Sequence, residues 1–189
     1  MKKRIVCFVF SSVLLSACSF QQTIKEEKQF VGNADATVDR VSDSISLKDA
    51  NKYFPAPFKS PTFLPYESVR DVKADARAIG KQKAVLTIKY KQQEKGRKDY
   101  VELTVANFSY SFPSIVEQNR FQEQRKLNNG AAAYFKNRDE WERGEEFATL
   151  IWKEKGLEYQ LLYRNVESRD EEVVKQNLLY IANNMEEKN

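Results

Sequence analysis

Between Lys83 and Lys91 apolar and polar positions alternate, with Ala84, Leu86, Ile88 and Tyr90 on one side and Val85, Thr87 and Lys89 on the other. This period of two predicts a strand with one buried face. Tyr100 to Val105 alternates back through Val101, Leu103 and Val105. Phe108, Tyr110 and Phe112 then fall in the opposite parity, which a bulge near Asn107 would explain, since one extra residue reverses the faces. Glu67 to Ile79 reads as one long exposed strand, and residues 113–120 fit either a loop or a short helix. Phe121 to Leu127 and Ala131 to Lys136 flank Asn128-Asn129-Gly130, a turn signal because Asn and Gly accept positive φ at low cost. A charged excursion occupies Asn137 to Glu146. The clearest hairpin follows, Phe147 to Lys153 and Leu157 to Tyr163 joined through Glu154-Lys155-Gly156.

The pattern changes period at the C-terminus. Val174, Leu178, Ile181, Ala182 and Met185 recur as one helical stripe, with Ser168 as the expected cap and Glu171 as its reciprocal partner. Near the start, Ser46-Leu47-Lys48-Asp49 has the form of a capped helix. That helix must be short, because Pro55, Pro57, Pro61 and Pro65 follow and forbid its continuation. The proline passage to Tyr66 is expected to be a stiff, extended connector. Strands followed by a covering helix predict an α+β fold, a curved antiparallel sheet of about six to seven strands. A C-terminal amphipathic helix and a short N-terminal helix complete it. The single domain is expected over residues 46–189.

Residues 1–17 have a different character. Lys2, Lys3 and Arg4 precede an apolar run from Ile5 to Leu15 broken by Ser11 and Ser12. The run is about half the ~20 residues a permanent transmembrane helix needs, so it reads as a signal peptide. Leu15-Ser16-Ala17-Cys18 resembles the lipobox of bacterial lipoproteins. In that family the cysteine thiol receives a diacylglyceryl group and becomes the mature N-terminus, and two acyl chains give a stable anchor. The resemblance implies lipidation at Cys18 and a position on the outer face of the cytoplasmic membrane. Residues 18–45 are then the lipidated N-terminus and a tether, rich in Gln, Lys, Glu, Ser and Asp, spanning ~30 Å as a flexible chain. Val38, Val41 and Ile45 lie at helical spacing, so its last turns are expected to pack on the domain.

The address alters the charge balance. The whole chain carries 31 Lys and Arg against 27 Asp and Glu, but removing Lys2, Lys3 and Arg4 leaves 28 basic residues against 27 acidic. The apparent basicity belongs to the signal peptide, and with it goes the support for a nucleic-acid partner. Cys7 leaves with the signal and Cys18 is taken by lipid, so no thiol remains for a disulfide, a metal or catalysis. Twelve Phe, nine Tyr and two Trp must supply a core that holds by packing alone.

Two further stretches carry a second resemblance. Ser46-Leu47-Lys48-Asp49-Ala50, Pro57-Phe58, Pro61 and Leu64-Pro65 form one. Leu150-Ile151-Trp152, Gly156-Leu157-Glu158-Tyr159 and the acidic helix after them form the other. Together they resemble a poorly characterised extracytoplasmic family found in Gram-positive lipoproteins and in the outer half of anti-sigma-type membrane regulators. The likeness spans residues 46–185, and its motifs are structural rather than catalytic. The layout is also similar to periplasmic carriers that cradle lipid or lipoprotein acyl chains, a likeness of fold that says little about function.

Chemistry enters mainly by exclusion. The chain contains no histidine, which removes Ser-His and Cys-His nucleophiles, histidine acid–base catalysis and histidine-bound zinc. Its six glycines are dispersed, so no local phosphate-cradling loop can form. No cofactor or metal is expected. A pair of carboxylates cleaving a wall glycan survives on composition, with Glu140, Glu142, Glu145 and Glu146 as candidates, although a solvated charged loop offers the same residues. Phe108, Tyr110 and Phe112 either line an apolar ligand groove or fill the core beyond the bulge. Lys89, Lys91, Lys95, Arg97 and Lys98 either meet anionic lipid or wall polymer or form a soluble hairpin tip. The leading expectation is a lipid-anchored, non-enzymatic interaction or sensing module with a membrane or cell-wall protein partner. The alternatives are a carrier or sensor of an apolar ligand on the concave sheet face and a carboxylate-dependent cell-wall hydrolase.

Overall fold

A computed structural model describes residues 41–140, 146–165 and 170–188. In chain order the strands are β1 (Val41–Ser46), β2 (Phe58–Pro61), β3 (Lys73–Ile79), β4 (Lys83–Lys91), β5 (Tyr100–Ala106), β6 (Glu123–Lys126), β7 (Ala132–Glu140), β8 (Glu146–Glu154) and β9 (Leu157–Arg164). The helix α1 (Glu171–Asn183) and a last strand β10 (Met185–Lys188) follow. Eight strands form one antiparallel sheet in the order β1-β3-β4-β5-β9-β8-β7-β6, and β2 pairs with β10 as a separate ribbon. The described chain is therefore mostly antiparallel sheet with one C-terminal helix. It carries more strands than the six to seven expected.

Alternation sorts the sheet into two faces. Ala84, Leu86, Ile88 and Tyr90 of β4, Val101, Leu103 and Val105 of β5, and Leu157, Tyr159, Leu161 and Tyr163 of β9 are all buried in one core. Val174, Leu178, Ile181 and Ala182 of α1 enter the same core against β7, β8 and β9. Each of the three larger helix residues contributes ~1.5–3 kcal/mol by leaving water. The helix begins at Asp170, whose carboxylate accepts the N–H groups of Glu172 and Val173 at 2.8 and 3.3 Å. That cap satisfies donors that no helical carbonyl reaches. Ser168, the expected cap, lies outside the described residues.

Several expectations are corrected. The spacing of Val41 and Ile45 is taken up by a strand, β1, which pairs with β3 and brings the sheet five residues upstream of the expected domain start. The short helix capped by Ser46 is present, the serine hydroxyl accepting the Lys48 N–H at 3.4 Å, but it is a 3-10 stretch, Leu47–Lys52, and Asp49 pairs with Lys52 at 2.7 Å instead of turning back to the cap. The proline passage is not a bare connector, because β2 within it pairs with β10. Met185, read as the end of the helical stripe, opens that last strand. The expected strand over Glu67 to Ile79 is ordered as β3 only from Lys73, with a lone bridge between Ser68 and Gln92 before it. Of the charged excursion, the two described ends belong to paired strands, since Glu140 of β7 pairs with Glu146 of β8.

The turns follow local chemistry. Lys155 and Gly156 both take positive φ, 50° and 80°, which a two-residue connection between right-twisted strands requires. Tyr66 contributes at a distance: its hydroxyl donates to the Tyr90 carbonyl and accepts the Val101 N–H at 2.6 Å, bridging β4 and β5. Burial pushes that hydroxyl's pKa upward. Tyr66→Phe should cost about 1–3 kcal/mol in urea unfolding, because two ladder groups lose their partner. Amide exchange at Val101 should quicken in the same variant, and an unchanged rate there would mean the bridge carries no weight.

Candidate interaction surface

β5 ends at Ala106 rather than continuing through a bulge. Asn107 closes it: its Oδ1 accepts the Ala84 N–H at 2.8 Å, and its Nδ2 donates to the Gln82 carbonyl at 2.7 Å. The chain then leaves the ladder and crosses the sheet face opposite α1. Glu158, buried on that face, holds it there. Its carboxylate accepts the N–H groups of Tyr110, Ser111 and Phe112 at 2.9, 2.6 and 3.2 Å. The parity change at Phe108 thus marks the end of a strand, and Pro113–Glu117 makes one π turn beyond it.

The three rings of this segment do not join the main core. Phe108 and Tyr110 meet edge to face at 5.7 Å, Phe112 meets Tyr134 at 5.6 Å, and Phe121 meets Tyr134 at 4.9 Å. The Lys153 ammonium stands 4.2 Å from the centre of the Phe112 ring and donates to Ser109 Oγ at 2.8 Å. Lys83 lies 5.2 Å from Phe108. Phe108 and Phe112 are half-buried, while Tyr110 keeps 44% of its surface exposed. They form a satellite cluster pinned to the sheet.

The other candidates separate. Lys89, Lys91, Lys95, Arg97 and Lys98 are all exposed around the β4–β5 turn, and Arg97 pairs with Asp99 at 3.3 Å. Glu140 and Glu146 are neighbours in backbone register, whereas Glu142 and Glu145 lie outside the described residues, as does Cys18.

A groove that the pattern of residues had not suggested lies on the α1 side of the molecule. It has a volume of about 510 Å³ and is lined by Phe63, Leu179, Tyr180, Asn183, Arg125 and Lys126 among others. Phe63 and Tyr180 pack edge to face at 4.7 Å, yet remain 42% and 52% exposed. Three contacts assemble it. Thr62 donates through its N–H and its hydroxyl to the Asn184 carbonyl at 3.0 and 2.8 Å, which carries Phe63 onto the helix end. Asn183 Oδ1 accepts the Asn128 N–H at 2.7 Å, tying the β6–β7 turn to the same end. Lys175 donates to Glu123 of β6 at 2.9 Å and also pairs with Glu172, and these two carboxylates hold its ammonium pKa above the ordinary lysine value. The available signal was small: Tyr180 is a large ring standing off the apolar stripe of its helix, and Phe63 sits between two prolines.

A second groove, of about 570 Å³, lies against Gln124, Arg125, Lys126, Gly130 and Ala132. Both grooves meet at Arg125 and Lys126. Neither a protein-family model, nor a curated protein, nor a solved structure matches this chain. The resemblances drawn above therefore rest on their own residues.

Proposed function

We propose that this chain is an extracytoplasmic lipoprotein, held on the outer face of the cytoplasmic membrane of a Gram-positive cell through Cys18, that acts by binding a protein partner rather than by catalysis. The observation that carries the binding half is the exposed Phe63–Tyr180 pair in its groove beside Arg125 and Lys126. Adjacent aromatic rings left in water next to cations are the composition of interaction sites rather than of ordinary surface. The anchor half rests on Leu15-Ser16-Ala17-Cys18 behind its apolar run. Among the described residues no helix is long and apolar enough to cross a membrane. We class the domain as α+β, its helix and its two-stranded ribbon lying with one face of the large sheet. A carrier of apolar ligands would use Phe108, Tyr110 and Phe112, but their edge-to-face ring contacts and the Glu158 clamp favour a structural role for that segment.

Two measurements test the proposal in intact cells. Cys18→Ser should abolish incorporation of labelled palmitate and move the protein out of the membrane fraction. Retention of the variant in that fraction would dispose of the anchor. A photo-crosslinking residue at position 180 should yield a discrete protein adduct that the same probe at Lys48, an exposed residue beside the β1–β3 end of the sheet, does not. Identical adducts from both positions would remove the binding surface.

A further inference from the structure

We infer that β6 is a docking edge, to which an extended acidic segment of a protein partner adds as a further strand while its apolar side chains sit on Phe63 and Tyr180. The inference rests on the binding reading above and specifies its mode. β6 is the last strand of the eight-stranded sheet, with β7 on one side and no described strand on the other. Register decides which backbone groups face outward. Leu127 N–H bonds the Ala131 carbonyl, and Arg125 is paired with Ala133, so the odd residues of β6 turn their N–H and C=O toward β7. By the alternation of an antiparallel ladder, Gln124 and Lys126 present theirs to the open edge.

The side chains alternate in the same way. Glu123 and Arg125 lie opposite Phe135 and Ala133, which are core residues, so they point to the α1 side. Gln124 and Lys126 point to the other face. Two grooves meet along this edge at Arg125 and Lys126, one of about 510 Å³ reaching the aromatic pair and one of about 570 Å³ reaching Gln124 and Ala132, whose side chains lie on the other face. An added strand sends successive side chains to opposite faces, so its odd and even residues would each find a groove. Ligands that bind only by one face need no such pair.

Charge selects the sequence of the added strand. Arg125, Lys126 and Lys175 stand against two carboxylates, Glu123 and Glu172, and Lys126 enters none of those ion pairs. The surplus is positive and lies on the edge itself. An acidic residue opposite Lys126 and an apolar one toward Phe63, Leu179 and Tyr180 give a partner alternating acidic and apolar residues. Cations on an edge strand also discourage pairing between copies of one chain. The same cations would admit an acidic strand, and edge protection by itself does not call for exposed rings beside it.

The test uses the full chain and three capped octapeptides: one alternating glutamate with leucine or threonine, its lysine counterpart, and the acidic peptide N-methylated at alternate residues. Calorimetry should show binding of the acidic peptide, at least tenfold weaker for the other two and weaker in higher salt. Exchange of the Gln124 and Lys126 amides should slow in the complex. Gln124→Pro removes one outward N–H without touching the β7 ladder and should reduce affinity at least tenfold. Lys126→Glu, which keeps every backbone group, should do so through charge alone and guards against misfolding of the proline variant. Equal binding of the N-methylated or lysine peptide, or no binding of the acidic one, would overturn strand addition. A persisting crosslink at position 180 would then leave the binding module standing without it.

Discussion

Replacing Glu158 by alanine should lower the unfolding free energy by about 3–5 kcal/mol and release the segment from Phe108 to Phe121 from the sheet. The carboxylate is 3% exposed and accepts three successive backbone N–H groups, those of Tyr110, Ser111 and Phe112. Hydrogen bonds to a charged acceptor contribute roughly 1.5–3 kcal/mol each, and their loss is sub-additive because the freed loop reaches water. Glu158→Gln keeps one acceptor oxygen and should cost about half as much. Urea unfolding gives the free energy, and amide exchange at the three donors localises it. A loss below ~1 kcal/mol would show that the ring contacts of Phe108, Tyr110 and Phe112 hold the segment without the clamp. The result bears on function as well: a segment that detaches on losing one carboxylate is a strap, whereas one that stays is a self-packed cluster.

The second large effect is expected at Trp152, where alanine should cost about 3–5 kcal/mol. Its indole is buried and stacked on Tyr159, with ring centres 5.2 Å apart and planes 9° from parallel. No described group accepts its N–H, so Trp152→Phe loses packing but no hydrogen bond and should cost ~1 kcal/mol. A phenylalanine variant as damaged as the alanine one would contradict this account. Tyr159 extends the contact, because its hydroxyl accepts the Lys59 N–H at 3.2 Å and ties the β2–β10 ribbon to the sheet. Burial pushes the Tyr159 pKa up from 10.0 to about 12. The unfolded chain therefore ionises this phenol first, and its contribution is complete below pH 10 and lost as the pH rises toward 12. Thermal melts across that window should fall less steeply for Tyr159→Phe than for the unaltered chain.

Legibility followed the range of the interactions. β4, β5, β8 and β9 were readable because each buries one face continuously, so parity along the chain reports the core directly. Asn128-Asn129-Gly130 and Lys155-Gly156 were readable because turn geometry is a property of a few residues. β2 and β10 were not, since Phe58–Pro61 and Met185–Lys188 are too short to show a period and exist by pairing with each other across more than a hundred residues. The break at Asn107 is ambiguous along the sequence for a related reason. A bulge and a strand end produce the same change of parity, and the side-chain bonds of Asn107 to Gln82 and Ala84 decide between them. The Phe63–Tyr180 groove was hidden most fully, because its members come from a proline passage, a helix and an edge strand that share no local pattern.

From the residues alone came the proposal of a lipid anchor at Cys18, the absence of histidine, the strands with a continuous buried face and the amphipathic helix. These depend on chemistry carried by single residues or on periods within one element. The fold decided which described strand stands last in the sheet, where the α1 terminus brings two aromatic rings together and what a buried glutamate holds. Such features arise when elements distant in sequence pack, and no repeat along the chain encodes them.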